Sequence, residues 1–144
     1  DIPQNVGSLI RLGACLGVGL HIIEPCGFSM DDKRMKRVAM DYQAQITRHS
    51  SWEAFLDACQ TRLGGRLVLL TTKATQSYTQ FSFQAGDILL LGRESAGVPE
   101  AVHARADARI CVRMQPSARS LNLVQAACMV TGEALRQTQL LDMG

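Results

Sequence analysis

Three short segments of this 144-residue chain carry the residue types from which anion-binding or group-transfer chemistry is built. The first is Pro3-Gln4-Asn5-Val6-Gly7, with Arg11 further along. Asn5 suits the start of a helix, where its side chain can accept from an orphan backbone N–H. Capping leaves Arg11 unexplained, because a guanidinium on a largely apolar helix calls for a partner or a polar cleft. The second segment runs from Leu91 to Pro99 and holds Gly92, Glu94 and Gly97. Gly92 permits close backbone approach to a ligand and Gly97 a sharp turn. The same residues would also serve an ordinary strand-to-helix turn, and glycine-rich loops are weak signals. The third segment, Met114 to Leu123, holds Arg119, Ser120 and Asn122. Ser120 reads as the cap of a long helix. Arg119 and Asn122 would present donors to an anion or a hydroxyl at that helix start.

Other chemistries fit poorly. His21 reads as a strand residue, His49 as lying near a turn, and His103 as part of a polar segment, and their spacing suits no metal. The five cysteines, at 15, 26, 59, 111 and 128, form no C-x-x-C pair. Their odd count, and the apolar neighbours of Cys15, Cys111 and Cys128, read as reduced core thiols of a cytosolic protein. A Gly-x-Ser-x-Gly elbow and a Gly-Lys-Ser/Thr phosphate loop are both missing. Gly13, Gly17 and Gly19 follow a helix rather than a strand, the wrong context for a dinucleotide loop. Lys33, Arg34, Lys36 and Arg37 read first as a solvated face, with RNA phosphate contact as the alternative.

The elements that must position these residues alternate. Asn5–Cys15 reads as a helix broken by Gly17 and Gly19, and Leu20–Glu24 as a buried strand. Asp31-Asp32 opens a helix with acids first and bases after, which suits the helix dipole. Ser51 caps a helix over 52–63, stopped by Gly64-Gly65. Leu67–Thr72 and Asp87–Leu91 read as buried strands, 99–106 as a short helix, Ala108–Val112 as a last strand, and Ser120–Gln139 as a long helix. Strands apolar on both faces, alternating with helices, predict an α/β fold with a parallel sheet. Ligands then bind beyond the carboxyl ends of the strands.

Composition bounds the rest. At 47% apolar and 19% charged residues the chain is globular, and its length suits one domain over 1–144. Apolar runs such as Leu67–Leu70 are too short to span a membrane. No secretory or transit segment is read. A net charge of +2 excludes a coat-like binder of nucleic acid. Charge is nonetheless local: between Arg105 and Arg119 four arginines face one acid, which places positive charge at the candidate loops.

Together and in this order, the segments resemble the SPOUT superfamily of RNA methyltransferases. They resemble most closely its TrmL-like branch, which methylates the 2′-hydroxyl of the tRNA wobble nucleotide. The matching pieces are IPQNVGSLIRLGACLG from Ile2, LHIIEPCGFSMDDKRMKRVAMDY from Leu20, LTTK from Leu70, LLGRESAGVPE from Leu90 and PSARSLNLVQAACMVTGEALRQ from Pro116. The resemblance implies a deep C-terminal trefoil knot, S-adenosylmethionine bound within it, an obligate homodimer, no metal, and tRNA bound at the anticodon loop. The family's first strand would precede Ile2 and is absent from this sequence. By resemblance, Leu70, Thr71, Gly92, Gly97, Val112, Ser120 and Leu121 hold the cofactor. Asn5, Arg11, Glu94, Ser120 and Asn122 surround the ribose hydroxyl and methyl group, and Arg11 matches the position assigned the base. RNA would approach over Lys33, Arg34, Lys36, Arg37, Arg113 and Arg119. The sequence departs from the branch at Arg93, Gln125 and Gly132, positions that bear on substrate choice and the dimer interface. Another tRNA or rRNA target, or a non-catalytic RNA- or cofactor-binding module, are the alternative readings.

Overall fold

A computed structural model describes residues 3–24, 33, 37, 46–92, 98–117 and 121–139. Of the expected site residues, Arg34, Lys36, Glu94, Gly97, Arg119 and Ser120 lie outside these, as do Arg93 and Cys26. For Asn5 the backbone alone is described. The chain divides into two compact units, 1–63 and 64–144.

In the first unit, helix α1 (Pro3–Leu16) turns its apolar stripe inward: Ile10 is 1% exposed and Gly13 is buried, while Arg11 and Cys15 are exposed. Gly17 ends the helix at φ +69°, a conformation glycine adopts without strain. Strand β1 (Leu20–Ile23) pairs in parallel with β2 (Ile46–His49). The sequence reading assigned no strand at 46–49 and placed His49 near a turn, so β2 is a correction. One polar and one charged residue between Ile46 and His49 hide it, because neither face of the strand is wholly apolar. Ser51 Oγ accepts from the Ala54 N–H and caps α2 (Trp52–Ala58), which runs on as a wider π turn over Cys59–Leu63. Phe55, 1% exposed, packs edge-on against the buried His49 ring at 5.2 Å. His49 Nε2 stands 2.9 Å from His21 Nδ1, so one ring donates to the other. Of the helix expected from Asp31-Asp32, Lys33 and Arg37 are described, and both are helical and exposed.

The second unit is built on β3 (Leu67–Leu70), whose first three residues are almost fully buried. It pairs in parallel with β4 (Ile88–Leu91) on one side and β5 (Ala108–Ile110) on the other. Both partners follow β3 in sequence, so the chain crosses in opposite directions from it. That is the topological switch at which open α/β sheets bind ligands. Asp107 locks the start of β3: its carboxylate accepts from the Leu67 N–H at 2.7 Å, and its own N–H donates to the Leu67 carbonyl at 2.8 Å. Arg66 grips Asp87 through two N–H donors, at 2.8 and 2.7 Å, and lies over the Phe81 ring. Helix α3 (Glu100–Arg105) links β4 to β5, and α4 (Leu123–Thr138) closes the unit.

The core of this unit joins Val68, Phe81, Ile110 and Val130. Gln137 on α4 ties the helix to an extended segment: its amide donates to the Phe81 carbonyl at 2.9 Å and accepts from the Phe83 N–H at 2.8 Å. Two expected core thiols are corrected, since Cys15 and Cys128 are exposed, while Cys59 and Cys111 are buried. Apolar neighbours in sequence do not fix which way a helical side chain points. Two of the four arginines between Arg105 and Arg119 are engaged within the fold. Arg109 donates back to the His103 and Ala104 carbonyls, and Arg105 faces Asp107 at 3.6 Å.

Candidate functional site

A pocket of about 290 Å³ opens at the carboxyl ends of β3 and β5. Leu70, Thr71 and Thr72 come from the end of β3, Val112 and Met114 from the stretch after β5, and Leu121, Asn122, Leu123 and Ala126 from the start of α4.

Backbone bonds fix the two sheet-side walls together. The Thr71 N–H donates to the Ile110 carbonyl at 2.9 Å, the Cys111 N–H to the Gln76 carbonyl at 2.9 Å, and the Tyr78 N–H to the Cys111 carbonyl at 2.9 Å. The connection from β3 to β4 is therefore laced along β5, and its only helical piece among the described residues is the turn Tyr78–Gln80. Lys73 closes a tight turn by donating its N–H to Thr71 Oγ1 at 3.2 Å.

The helix-side wall starts at Asn122. Its Oδ1 accepts from the Val124 N–H at 2.8 Å and the Gln125 N–H at 3.4 Å, which makes Asn122 the N-cap. The expectation that Ser120 caps this helix is thereby corrected. Both residues are good caps two positions apart, and the cap goes to the residue whose side chain reaches the first free N–H groups.

Five expected residues, Leu70, Thr71, Val112, Leu121 and Asn122, line this one pocket. Arg113 sits between two lining residues and is exposed. Gly92 follows β4, is half-buried, and is not among the lining residues. Arg11, Lys33 and Arg37 are exposed and belong to the first unit. Sequence reasoning missed Thr72, Met114, Leu123 and Ala126. Met114 was accessible from the period of two that follows Val112, and Ala126 from the helical spacing that follows Asn122 and Leu123.

Chemically, the pocket offers an apolar lining from Leu70, Val112, Leu121 and Leu123, with the hydroxyls of Thr71 and Thr72 and the Asn122 amide among them. A flat apolar ring with polar substituents suits that mixture, and the size lies near the lower end for small-molecule sites. Among the described residues no group of three His, Cys, Asp or Glu is placed to hold a metal ion.

The family model for the SpoU rRNA methylases matches residues 1–132, nearly the whole chain and both units. The chain belongs to the SpoU methylase family. Among its relatives is the tRNA (cytidine(34)-2′-O)-methyltransferase of Beijerinckia indica, 59% identical over 95% of this chain and 86% of that protein. A solved structure described as giving insight into 2-OH methylation of C/U34 on tRNA superposes with a TM-score of 0.85 at 38% identity, covering 95% of this chain and 90% of that one. The SpoU methyltransferase AviRb from Streptomyces viridochromogenes, solved with the cofactor AdoMet, also reaches 0.85, at 28% identity over 95% of this chain and 56% of that chain. Mixed α/β architecture with parallel sheets is what the family expectation required, and it is what the fold contains.

Proposed function

We propose that this chain transfers the methyl group of S-adenosylmethionine to the ribose 2′-hydroxyl of nucleotide 34 of a tRNA. The observation that carries this is the 59% identity, over 95% of the chain, to a tRNA (cytidine(34)-2′-O)-methyltransferase. The pocket at the β3–β5 switch supports it, since its apolar and polar lining fits an adenosine with an amino-acid arm. Leu121 would pack on the adenine, and Leu70, Thr71, Gly92, Gly97, Val112 and Ser120 would hold the cofactor largely through backbone groups.

Bound there, S-adenosylmethionine supplies a methyl group already activated on a sulfonium. The protein's own residues then have two tasks, to align the 2′-oxygen and to offset the loss of its proton. Arg11 is assigned to that oxygen. A guanidinium is a very weak base, so its role is an electrostatic clamp on the developing alkoxide or on a neighbouring phosphate. Asn5, Glu94, Ser120 and Asn122 orient the reacting groups. Lys33, Arg34, Lys36, Arg37, Arg113 and Arg119 meet the RNA at the anticodon loop.

The same reading takes the chain as one methyltransferase domain, supported by a family match that runs across both units. It includes the deep C-terminal trefoil knot, a homodimer and a cytoplasmic setting. The decisive test maps 2′-O-methylation in tRNA from a deletion strain. Loss at nucleotide 34, restored by wild type and not by Arg11→Ala, is expected, and unchanged modification there refutes the assignment. A ribosomal target is the second reading, favoured by the family's description as rRNA methylases. It predicts that the lost methyl group lies in rRNA instead.

A further inference from the structure

The rim of the pocket carries a charge pattern that the roles above use only in part. Val112 and Met114, on either side of Arg113, line the pocket. The intervening Arg113 is exposed, and its Nη2 donates to the Thr75 carbonyl at 3.0 Å. Thr75 lies two residues beyond Lys73, which is exposed and follows the lining residue Thr72. The turn under Lys73 is itself anchored on Thr71. Two cations from different loops are thus held on one short stretch beside the mouth. Residues 71–84 and 111–117 contain no Asp or Glu, so neither stretch supplies an acid to neutralise them.

We infer that Lys73 and Arg113 form a single cationic rim that grips the phosphodiester backbone of the RNA strand whose ribose is presented to the pocket mouth. The inference rests on the tRNA reading and adds Lys73 to it as an RNA-binding residue. The two groups are complementary: the tethered guanidinium offers a planar fork with its direction fixed, and the lysine offers a mobile point charge. Single-stranded loops are what sequence-selective RNA proteins engage.

The test measures binding of unmodified tRNA across a salt series by fluorescence anisotropy. Wild type, Lys73→Ala and Lys73→Arg are compared, with S-adenosylmethionine affinity read in parallel by calorimetry. Lys73→Ala is expected to weaken tRNA binding several-fold at low salt and to lower the slope of log affinity against log salt by about 1. Lys73→Arg should restore both, and cofactor affinity should hold in each variant. An unchanged slope overturns the rim. So does lost cofactor affinity with intact tRNA binding, which would assign Lys73 to the cofactor's carboxylate. If wild type methylates tRNA but the slope is unchanged, the rim fails and the activity stands. If wild type binds tRNA with the expected slope change but methylates no tRNA, the activity fails and the rim stands. Absence of any tRNA binding by wild type overturns both.

Discussion

Asn122 does two things at once: it caps α4 and it lines the pocket. Removing the side chain by Asn122→Ala should cost about 1 kcal/mol, read as a lower thermal midpoint, because the Val124 and Gln125 N–H groups lose their acceptor. Asn122→Ser should return most of that stability. If Ser also returns cofactor affinity, the residue acts through the helix start; if it does not, the amide itself meets the ligand. A second residue-scale prediction concerns His21. Burial, and then the neighbouring His49, push its pKa below the usual 6.5. The folded chain therefore binds that proton less readily than the unfolded chain. Stability is fully present above pH 6.5 and falls as pH drops below it towards the lowered pKa. Two carboxylates titrate below this window: Glu133 at about 2, held there by Arg136 and Gln137, and Asp87, which is also lowered. For Asp87, burial raises the pKa, and the Arg66 and Gln84 hydrogen bonds outweigh it. The urea midpoint should fall between pH 7.5 and 5.5 in wild type and move less in His21→Gln. A wild-type midpoint indifferent to that change contradicts the argument.

At the scale of elements, the long apolar strands and the capped helices were legible because burial and capping leave local marks. β3 and β4 announce themselves as Leu-rich runs, and Ser51 marks α2 one residue ahead. Two features were not legible, for different reasons. β2 exists through its parallel partner, and a sequence of Ile, Thr, Arg and His has no periodicity strong enough to declare it. The start of α4 was placed early because Ser120 and Asn122 both satisfy the local rule. The pocket was legible as a set of loops, but membership required the register of β3 against β5, which no local pattern contains. Close packing also sets a prediction at this scale. A Cβ at Gly65, just before β3, would collide with the Gly86 carbonyl, which is backbone and cannot swing aside. Gly65→Ala must part the two backbone segments beside the Ile88 N–H bond to the Arg66 carbonyl, which spans 2.8 Å. A loss of about 1–3 kcal/mol is expected by urea denaturation. A loss below the error of that measurement would mean the turn at Gly86 yields freely.

For the molecule as a whole, a net charge of +2 conceals specialised uses of arginine. Arg66 and Arg109 are consumed in holding the second unit together, while Arg113 stays at the surface beside the pocket. Counting arginines along the sequence therefore overstates the charge available to a polyanion. Met129, at 43% the most exposed large hydrophobic side chain among the described residues, stands on α4. In the homodimer proposed above, light scattering should return twice the 15.7 kDa of the chain, and Met129→Asp should shift it towards one copy. A single-chain mass for wild type at micromolar concentration refutes the dimer.

The position of β3 between two parallel partners has one more consequence. The pocket wall it supplies is pinned by ladders on both sides and by the Thr71 bond to Ile110. The opposite wall hangs from one exposed asparagine whose carbonyl oxygen serves two amides. The pocket thus has a slow side and a fast side. Amide hydrogens at 68–71 should trade with solvent on the timescale of global unfolding, and those at 124–125 on that of a fraying turn. An occupant would leave its imprint on the fast side alone, quieting the helix start while the strand, already at its limit, has nothing left to gain.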